Sequence, residues 1–142
     1  MPKVINDVGS IIKNCAMDLF VEYGYLSVDM KMISDKSGIA VGTIYHYYKN
    51  KKQLYLYVLN ESWEITFSKL NEINVLACTS EEKLYRLIAT LYYDIKGRNG
   101  LGKVLFDSSV EELKKGDYLT ELKNKLLEKV NTIISSFKKE ES

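Results

Sequence analysis

The sequence predicts an all-α protein: an N-terminal three-helix helix-turn-helix domain joined by a long helix to a second helical domain. Three observations carry this. Apolar residues recur at helical spacing almost from end to end. One proline and eight glycines in 142 residues are too few for a many-turned all-β domain. And between residues 29 and 47 a short helical pattern, a glycine and a second short helical pattern follow one another, the arrangement of a helix-turn-helix.

The elements follow in order. Ile12, Cys15, Ala16, Leu19, Phe20 and Tyr23 form one apolar stripe at i, i+3, i+4, i+7, i+8 and i+11. Asn6 or Asp7 can cap that helix and Gly24 can end it. A short helix is expected from about Asp29 to Ser37, with Met30 and Ile33 inward and Gly38 closing it. A third runs from about Val41 to Tyr47. Asn50 is a cap candidate for a long helix from Lys51 to about Val75. That helix carries two stripes, Leu56, Leu59, Trp63, Phe67 and Leu70 on one side and Leu54, Val58 and Ile65 on another, so it must be covered on two flanks. Thr79 and Glu82 have capping-box spacing for a helix bearing Leu84, Leu87, Ile88, Leu91, Tyr92 and Ile95, which stops at Gly97-Arg98-Asn99-Gly100. A shorter helix is expected around Lys103 to Lys115, with a break near Ser108. After Gly116-Asp117 a last helix carries Leu119, Leu122, Leu126, Val130, Ile133, Ile134 and Phe137 on one face. The domains expected are 1–50 and 51–142.

Composition excludes several classes. Hydrophobic residues make up 46% and charged residues 27%, a globular balance rather than a disordered one. The longest apolar run, Leu54 to Leu59, is far too short to span a bilayer, and Asn6, Asp7 and Ser10 stand where a signal peptide needs its apolar stretch. Cys15 and Cys78 lie in apolar patterns without CxxC spacing, which reads as reduced core thiols in a cytoplasmic protein. A single histidine, His46, leaves no His-rich metal site, and no nucleophile or carboxylate pair stands beside it, so no metal, cofactor or catalytic residue is expected. Only Arg86 and Arg98 represent arginine against many Lys, Asn and Ile, which fits an AT-rich bacterial genome.

The net charge is +1, so a polyanionic partner must be met by local clustering. Residues 29–60 hold five lysines (31, 36, 49, 51 and 52) against Asp29 and Asp35, whereas from Glu111 onward seven lysines face seven acids. On a helix from Val41 to Tyr47, Ile44 and Tyr48 share the inward face, and Val41, Thr43, Tyr45 and Tyr47 project elsewhere. The hydroxyls of Thr43, Tyr45 and Tyr47 suit phosphates or base edges, Lys49, Lys51 and Lys52 supply the salt-dependent term, and Gly42 permits close approach. The bland alternative is a solvated lysine cluster after a core helix.

The first fifty residues resemble the DNA-binding domain of TetR-family transcriptional regulators. The resemblance rests on Ala16-Met17-Asp18-Leu19-Phe20 with Tyr23-Gly24-Tyr25, then Ile33, Gly38-Ile39, Gly42-Thr43-Ile44-Tyr45-His46-Tyr47-Tyr48, Lys51 and Leu54, spaced without a gap. It implies a recognition helix at 41–47 in the major groove and a homodimer on a palindromic operator. It also implies DNA contacts at Lys31, Ala40, Val41, Thr43, Tyr45, Tyr47 and Lys51; Gly42, His46 and Lys49, read from the same exposed face and its lysine cluster, complete the expected DNA-binding set. The sequence departs from the family pattern at Val28, where a capping Ser or Thr is usual, so that Ser27 or Asp29 must substitute. Ala40 stands where Ser is common, which removes a cap worth about 1 kcal/mol. The apolar front Ala40-Val41-Gly42 suits thymine methyls. An N-terminal arm bearing only Lys3 does not suit minor-groove reading.

For the remainder the resemblance implies an all-helical ligand-binding and dimerisation domain for a small-molecule effector. Its pocket candidates are Trp63, Phe67, Leu91, Tyr92, Tyr93 and Phe106, whose plain alternative is core packing. Family members usually continue for two more long helices that form the dimer interface. The sequence ends after the seventh helix, so that either the domain is truncated, or it dimerises by another surface, or it is a monomer with weak DNA affinity; the Leu119–Phe137 stripe is expected to be partly uncovered and to drive homodimerisation. The mechanism expected is a population shift, in which ligand tilts the long helix and changes the spacing of the two recognition helices from the ~34–36 Å that DNA demands. The rival function is a helical protein-binding adaptor that has lost specific DNA binding.

Overall fold

The computed structural model describes residues 7–98, Leu101 and residues 111–141, with side chains through Phe137. All regular elements among them are helices: α1 (Val8–Tyr23), α2 (Met30–Ser37), α3 (Val41–Tyr47), α4 (Lys51–Asn74), α5 (Ser80–Gly97), α6 (Glu111–Lys114) and α7 (Tyr118–Glu141). They form two compact units. One holds the described residues up to Asn60 together with Leu101; the other holds Glu61–Arg98 and the described residues from Glu111 onward.

In the first unit the helix ends are chemically defined. Asp7 caps α1: its carboxylate accepts from the Ser10 N–H at 3.3 Å and the Ser10 hydroxyl at 2.8 Å. These bonds hold its pKa below the usual value. Asp29, not Ser27, is the cap of α2, accepting from the Met32 N–H at 2.8 Å, while Val28 is buried. Gly38 ends α2 in the left-handed conformation, φ 74°, that a side chain would strain. Asn50 caps α4, its Oδ1 accepting from the Gln53 N–H at 2.8 Å; Gln53 Oε1 in turn accepts from the Lys49 N–H at 2.6 Å. The core is Ile12, Ala16, Leu19, Phe20, Ile33 and Ile44 with Leu54, Tyr55, Val58 and Leu59. Tyr55 meets Phe20 and Tyr25 edge-on, each at 4.9 Å between ring centroids, and its hydroxyl donates to the Leu101 carbonyl at 3.2 Å. Burial raises the Tyr55 pKa to about 12. The first turns of α4 therefore pack with α1–α3, and the division between the units falls inside α4 at Asn60/Glu61, ten residues beyond the expected boundary.

In the second unit α4 and α5 run antiparallel, with Ser62 beside Arg98 and Thr66 beside Asp94. α5 packs on α7, and Ser80 Oγ at the start of α5 donates to the Ser136 carbonyl near the end of α7. Lys125 and Lys129 bridge α7 to α4 by pairing with Glu64 and Asn71 at 2.8 and 2.7 Å, and both ammonium groups lie over the Phe67 ring. Trp63, Phe67, Leu70, Leu87, Leu122, Leu126 and Ile133 are buried.

Several expectations need correction. Tyr23 is exposed because α1 is ending where the stripe would continue. Ile65 is 62% exposed: the inward face of α4 in this unit is Trp63, Thr66, Phe67, Leu70 and Ile73, and Ile65 lies off that row. Ile88 and Tyr92 are exposed too, since α5 has a wider apolar arc than its partners cover and only Leu87 is fully buried. The Thr79 hydroxyl accepts the Glu82 N–H, but the Glu82 carboxylate pairs with Arg86 at 3.1 Å rather than closing a capping box. Cys15 is half-buried and Cys78 exposed, so neither is a core thiol. The α7 stripe is partly uncovered, as expected: Leu119, Leu122, Leu126 and Ile133 are buried and Val130, Ile134 and Phe137 half-buried within the unit. The expected helix at 103–115 lies mostly outside the described residues; its last part is α6.

Candidate nucleic-acid interface

α3 is a seven-residue helix anchored from one side only. Ile44 is fully buried, and Tyr48, which ends the helix, is buried with its hydroxyl donating to the Gly9 carbonyl at 3.0 Å. These two contacts pin α3 to α1 and turn its other face outward. Gly42, Thr43, Tyr45, His46 and Tyr47 are exposed and Val41 is half-buried. Tyr45 and Tyr47 are 48% and 47% exposed, unusual for large rings, and His46 meets Tyr47 edge-on at 5.6 Å. The Tyr47 ring rests against Gly9, where an added Cβ would stand 3.3 Å from Tyr47 Cδ1. Gly9 is thus a floor for Tyr47, a role that its place in a helical stripe does not announce.

The front of α3 is open. Ala40 is the N-cap and makes no side-chain bond; the Thr43 and Ile44 N–H groups reach its carbonyl at 3.0 and 3.1 Å. A Cβ added at Gly42 would meet nothing within 4 Å, so no internal contact calls for glycine there. Helix N-termini attract anions through their exposed N–H groups and dipole, and here no carboxylate stands in the first turn.

The lysines differ in how they are held. Lys31 pairs with Asp35 at 3.7 Å with both side chains largely exposed, a contact worth little in water. Lys49 is exposed beyond the end of α3. Lys51 is half-buried and donates to the Tyr25 carbonyl at 2.8 Å, its ammonium 4.3 Å above the Tyr25 ring. One of its three hydrogens is thereby used and its position fixed, so it acts as a placed charge rather than a swinging one.

Of the residues expected to line a pocket, two pairs of rings meet, Trp63 with Phe67 and Tyr92 with Tyr93. Trp63 and Phe67 are buried 5.8 Å apart between ring centroids. Leu91 is half-buried, Tyr92 and Tyr93 are exposed and stack on each other at 5.2 Å, and Phe106 lies outside the described residues. Two open grooves of the second unit are lined otherwise: one, about 790 Å³, by Asn74, Asn124, Leu127, Asn131, Ser135 and neighbours, the other, about 420 Å³, by Lys69, Glu72, Tyr85, Arg86 and neighbours. What the expectation missed is Arg98. It is 7% exposed, its Nε donates to Ser62 Oγ and its Nη2 to the Ser62 carbonyl, both at 2.7 Å, and to Thr66 Oγ1. In the sequence it stands inside a glycine break and reads as punctuation.

Residues 12–58 match the family model described as bacterial regulatory proteins, tetR family. That segment, about a third of the chain, is a tetR-family N-terminal domain. Over 93 residues, 66% of this chain and 48% of that protein, it is 28% identical to the fatty acid metabolism regulator protein of Bacillus subtilis. Over 41 residues, 29% of this chain and 21% of that protein, it is 51% identical to the Tn10 TetC protein of Escherichia coli. The chain thus spans about half or less of these two relatives. Among solved structures it resembles the fatty acid degradation regulator FadR of Bacillus halodurans, with TM-score 0.77 and 21% identity over 97% of this chain and 71% of that one. It also resembles FadR of B. subtilis solved with stearoyl-CoA, with TM-score 0.72 and 25% identity over 89% of this chain and 68% of that one.

Within this TetR-family domain the departures at Val28 and Ala40 have different structural outcomes. Asp29 takes over the cap that Val28 cannot make, freeing Val28 for the core. Nothing takes over at Ala40. Among the described residues no cluster of His, Cys, Asp and Glu could hold a metal, and no helix is long and apolar enough to cross a membrane.

Proposed function

We propose that the protein is a cytoplasmic, ligand-responsive repressor that binds a palindromic DNA operator as a homodimer. The observation that carries this reading is the outward face of α3: Thr43, Tyr45, His46 and Tyr47 exposed, with Gly42 open and Ile44 and Tyr48 locking the helix from behind. Tyr45, Tyr47, Lys31, Lys49 and Lys51 position the helix on phosphates, and Ala40, Val41 and Thr43 meet base edges. A two-fold dimer presents two such helices about one turn of duplex apart, ~34–36 Å. The α7 stripe is covered only in part within its own unit, Val130, Ile134 and Phe137 staying half-buried, and this region is the expected dimer surface.

The effector is a small molecule bound by the second unit, as the stearoyl-CoA complex of the B. subtilis neighbour suggests. Ligand and operator then compete by linkage: each lowers the other's affinity by the same factor. Selection from random duplex DNA, followed against salt, tests the reading. An enriched palindrome is the expected result. Salt-dependent binding without enrichment refutes it and favours a protein-binding adaptor.

A further inference from the structure

Arg98 is a buried cation with no carboxylate bonded to it. Its Nε and Nη2 hydrogens go to Ser62 and Thr66, all neutral oxygens. The nearest anion, Asp94, is one bond removed: Thr66 Oγ1 donates to Asp94 Oδ2 at 2.7 Å, and Lys69 takes Asp94 Oδ1 at 3.0 Å. Arg98 and Lys69 together therefore exceed Asp94 by one positive charge. Among the described residues neither Arg98 Nη1 nor Trp63 Nε1 has a hydrogen-bond partner, although both are buried and the guanidinium carbon lies over the Trp63 ring, 4.2 Å from its centre. Two hydrogens on Nη1 and one on the indole are thus left without a hydrogen bond on two side chains that stack on each other. Buried donors are almost always satisfied, and a charged one left open is costly.

We infer that Arg98 and Trp63 form the head of a ligand site for the carboxylate of an organic acid with an apolar body. The inference deepens the proposed function by naming the effector's class, and it rests on that reading only for the consequence to DNA. Three free hydrogens and one unit of positive charge fit a monoanion; a phosphate dianion asks for more of both. The tail would lie among the buried side chains of the same unit, where Phe67 stacks beside Trp63 at 5.8 Å. Desolvation of the cation has already occurred in the free protein, so an arriving carboxylate sets only its own desolvation against the charge-assisted bonds it forms. The donors are dry here, so the site opens by local loosening around Arg98.

Trp63 is the single tryptophan, so its emission reports on the site directly. Octanoate, methyl octanoate and inorganic phosphate are titrated into the full chain, without DNA, by tryptophan emission and calorimetry. Octanoate is expected to bind and shift the emission, while the uncharged ester and phosphate bind at least about tenfold more weakly. Arg98→Lys keeps the charge but loses the planar donor and should weaken octanoate by about 10- to 100-fold. Trp63→Phe, read by calorimetry, keeps the ring, loses the N–H and should weaken it several-fold, which preserves the test if Arg98→Lys does not fold. Failure of octanoate to bind, equal binding of acid and ester, or unchanged affinity in both folded variants overturns the proposal. Operator selection on the ligand-free protein is read separately, so loss of either result does not decide the other.

Discussion

Replacing Gly42 by alanine should move stability and DNA affinity in opposite directions. Glycine inside a helix costs roughly 0.5–1 kcal/mol relative to alanine because the unfolded chain loses more freedom. Gly42 is the second residue of α3, so the lower end of that range applies, about 0.5 kcal/mol. No atom within 4 Å opposes the new methyl and the backbone there is helical, so nothing offsets the gain. For a domain of 60–100 residues this amounts to roughly 2–4 °C in melting temperature. If the front of α3 lies against the duplex, the same methyl enters a packed interface, where overpacking costs about 1–3 kcal/mol. Operator affinity should fall about tenfold or more, with an unchanged salt slope because no charge is altered. Thermal melting and fluorescence anisotropy on the selected operator at two salt concentrations measure both effects. A variant that melts higher and binds the operator as tightly as the parent would falsify the docking of this helix front.

Ala40→Ser should restore the missing cap, stabilising the first unit by about 1 kcal/mol in urea denaturation and tightening operator binding; no gain in either would show that the α3 terminus is already satisfied. Tyr48→Phe should cost about 0.5–1.5 kcal/mol by removing the buried bond to the Gly9 carbonyl, and should weaken binding to all duplexes alike because α3 loses its anchor. Asp94 is opposed by burial, but its bonds from Thr66 and Lys69 and the charges of Lys69 and Arg98 win, so its pKa lies below 3.8. With the folded pKa depressed, its stabilising contribution is complete above the unfolded value and is lost as the pH falls through the folded one. Denaturation from pH 7 down to pH 2 should therefore show a steeper acid loss in the parent than in Asp94→Asn, and parallel curves would remove Asp94 from the network.

The N-terminal unit is legible in the sequence because its signals are local. Asp7, Gly24, Gly38 and Asn50 each act within four residues of the helix end they define, and Ile44 and Tyr48 show the α3 anchor by spacing alone. Partners far apart in sequence were not legible. That Tyr47 rests on Gly9, or that Lys51 is tied to Tyr25, depends on contacts across tens of residues. The second unit was harder still. α4 and α5 are apolar over wide arcs, so periodicity could not say which rows would be covered, and it assigned Ile65, Ile88 and Tyr92 inward where the partners do not reach. In the sequence Arg98 is only part of the Gly97-Arg98-Asn99-Gly100 break that stops α5. Only the packing around Trp63 shows that it is buried.

The positions where local rules are broken are also those to which function has been assigned. α3 starts on an uncapped alanine and carries a helical glycine that nothing inside the molecule requires; either defect alone weakens a helix of only seven residues. Such a helix survives because Ile44 and Tyr48 hold it from behind, so its stability comes from tertiary contacts and its front is free to be shaped for another surface. The same logic applies at Arg98, where the polar groups Ser62, Thr66, Asp94 and Lys69 hold a buried cation in place and still leave one nitrogen unbonded. A purely structural arginine would be better served by a direct carboxylate partner, and Asp94 bonds the same Thr66 hydroxyl that Arg98 does. That Thr66 stands between them instead keeps the positive charge available. A site that merely stabilised the helix pair would have no use for that arrangement; a site that waits for an anion does.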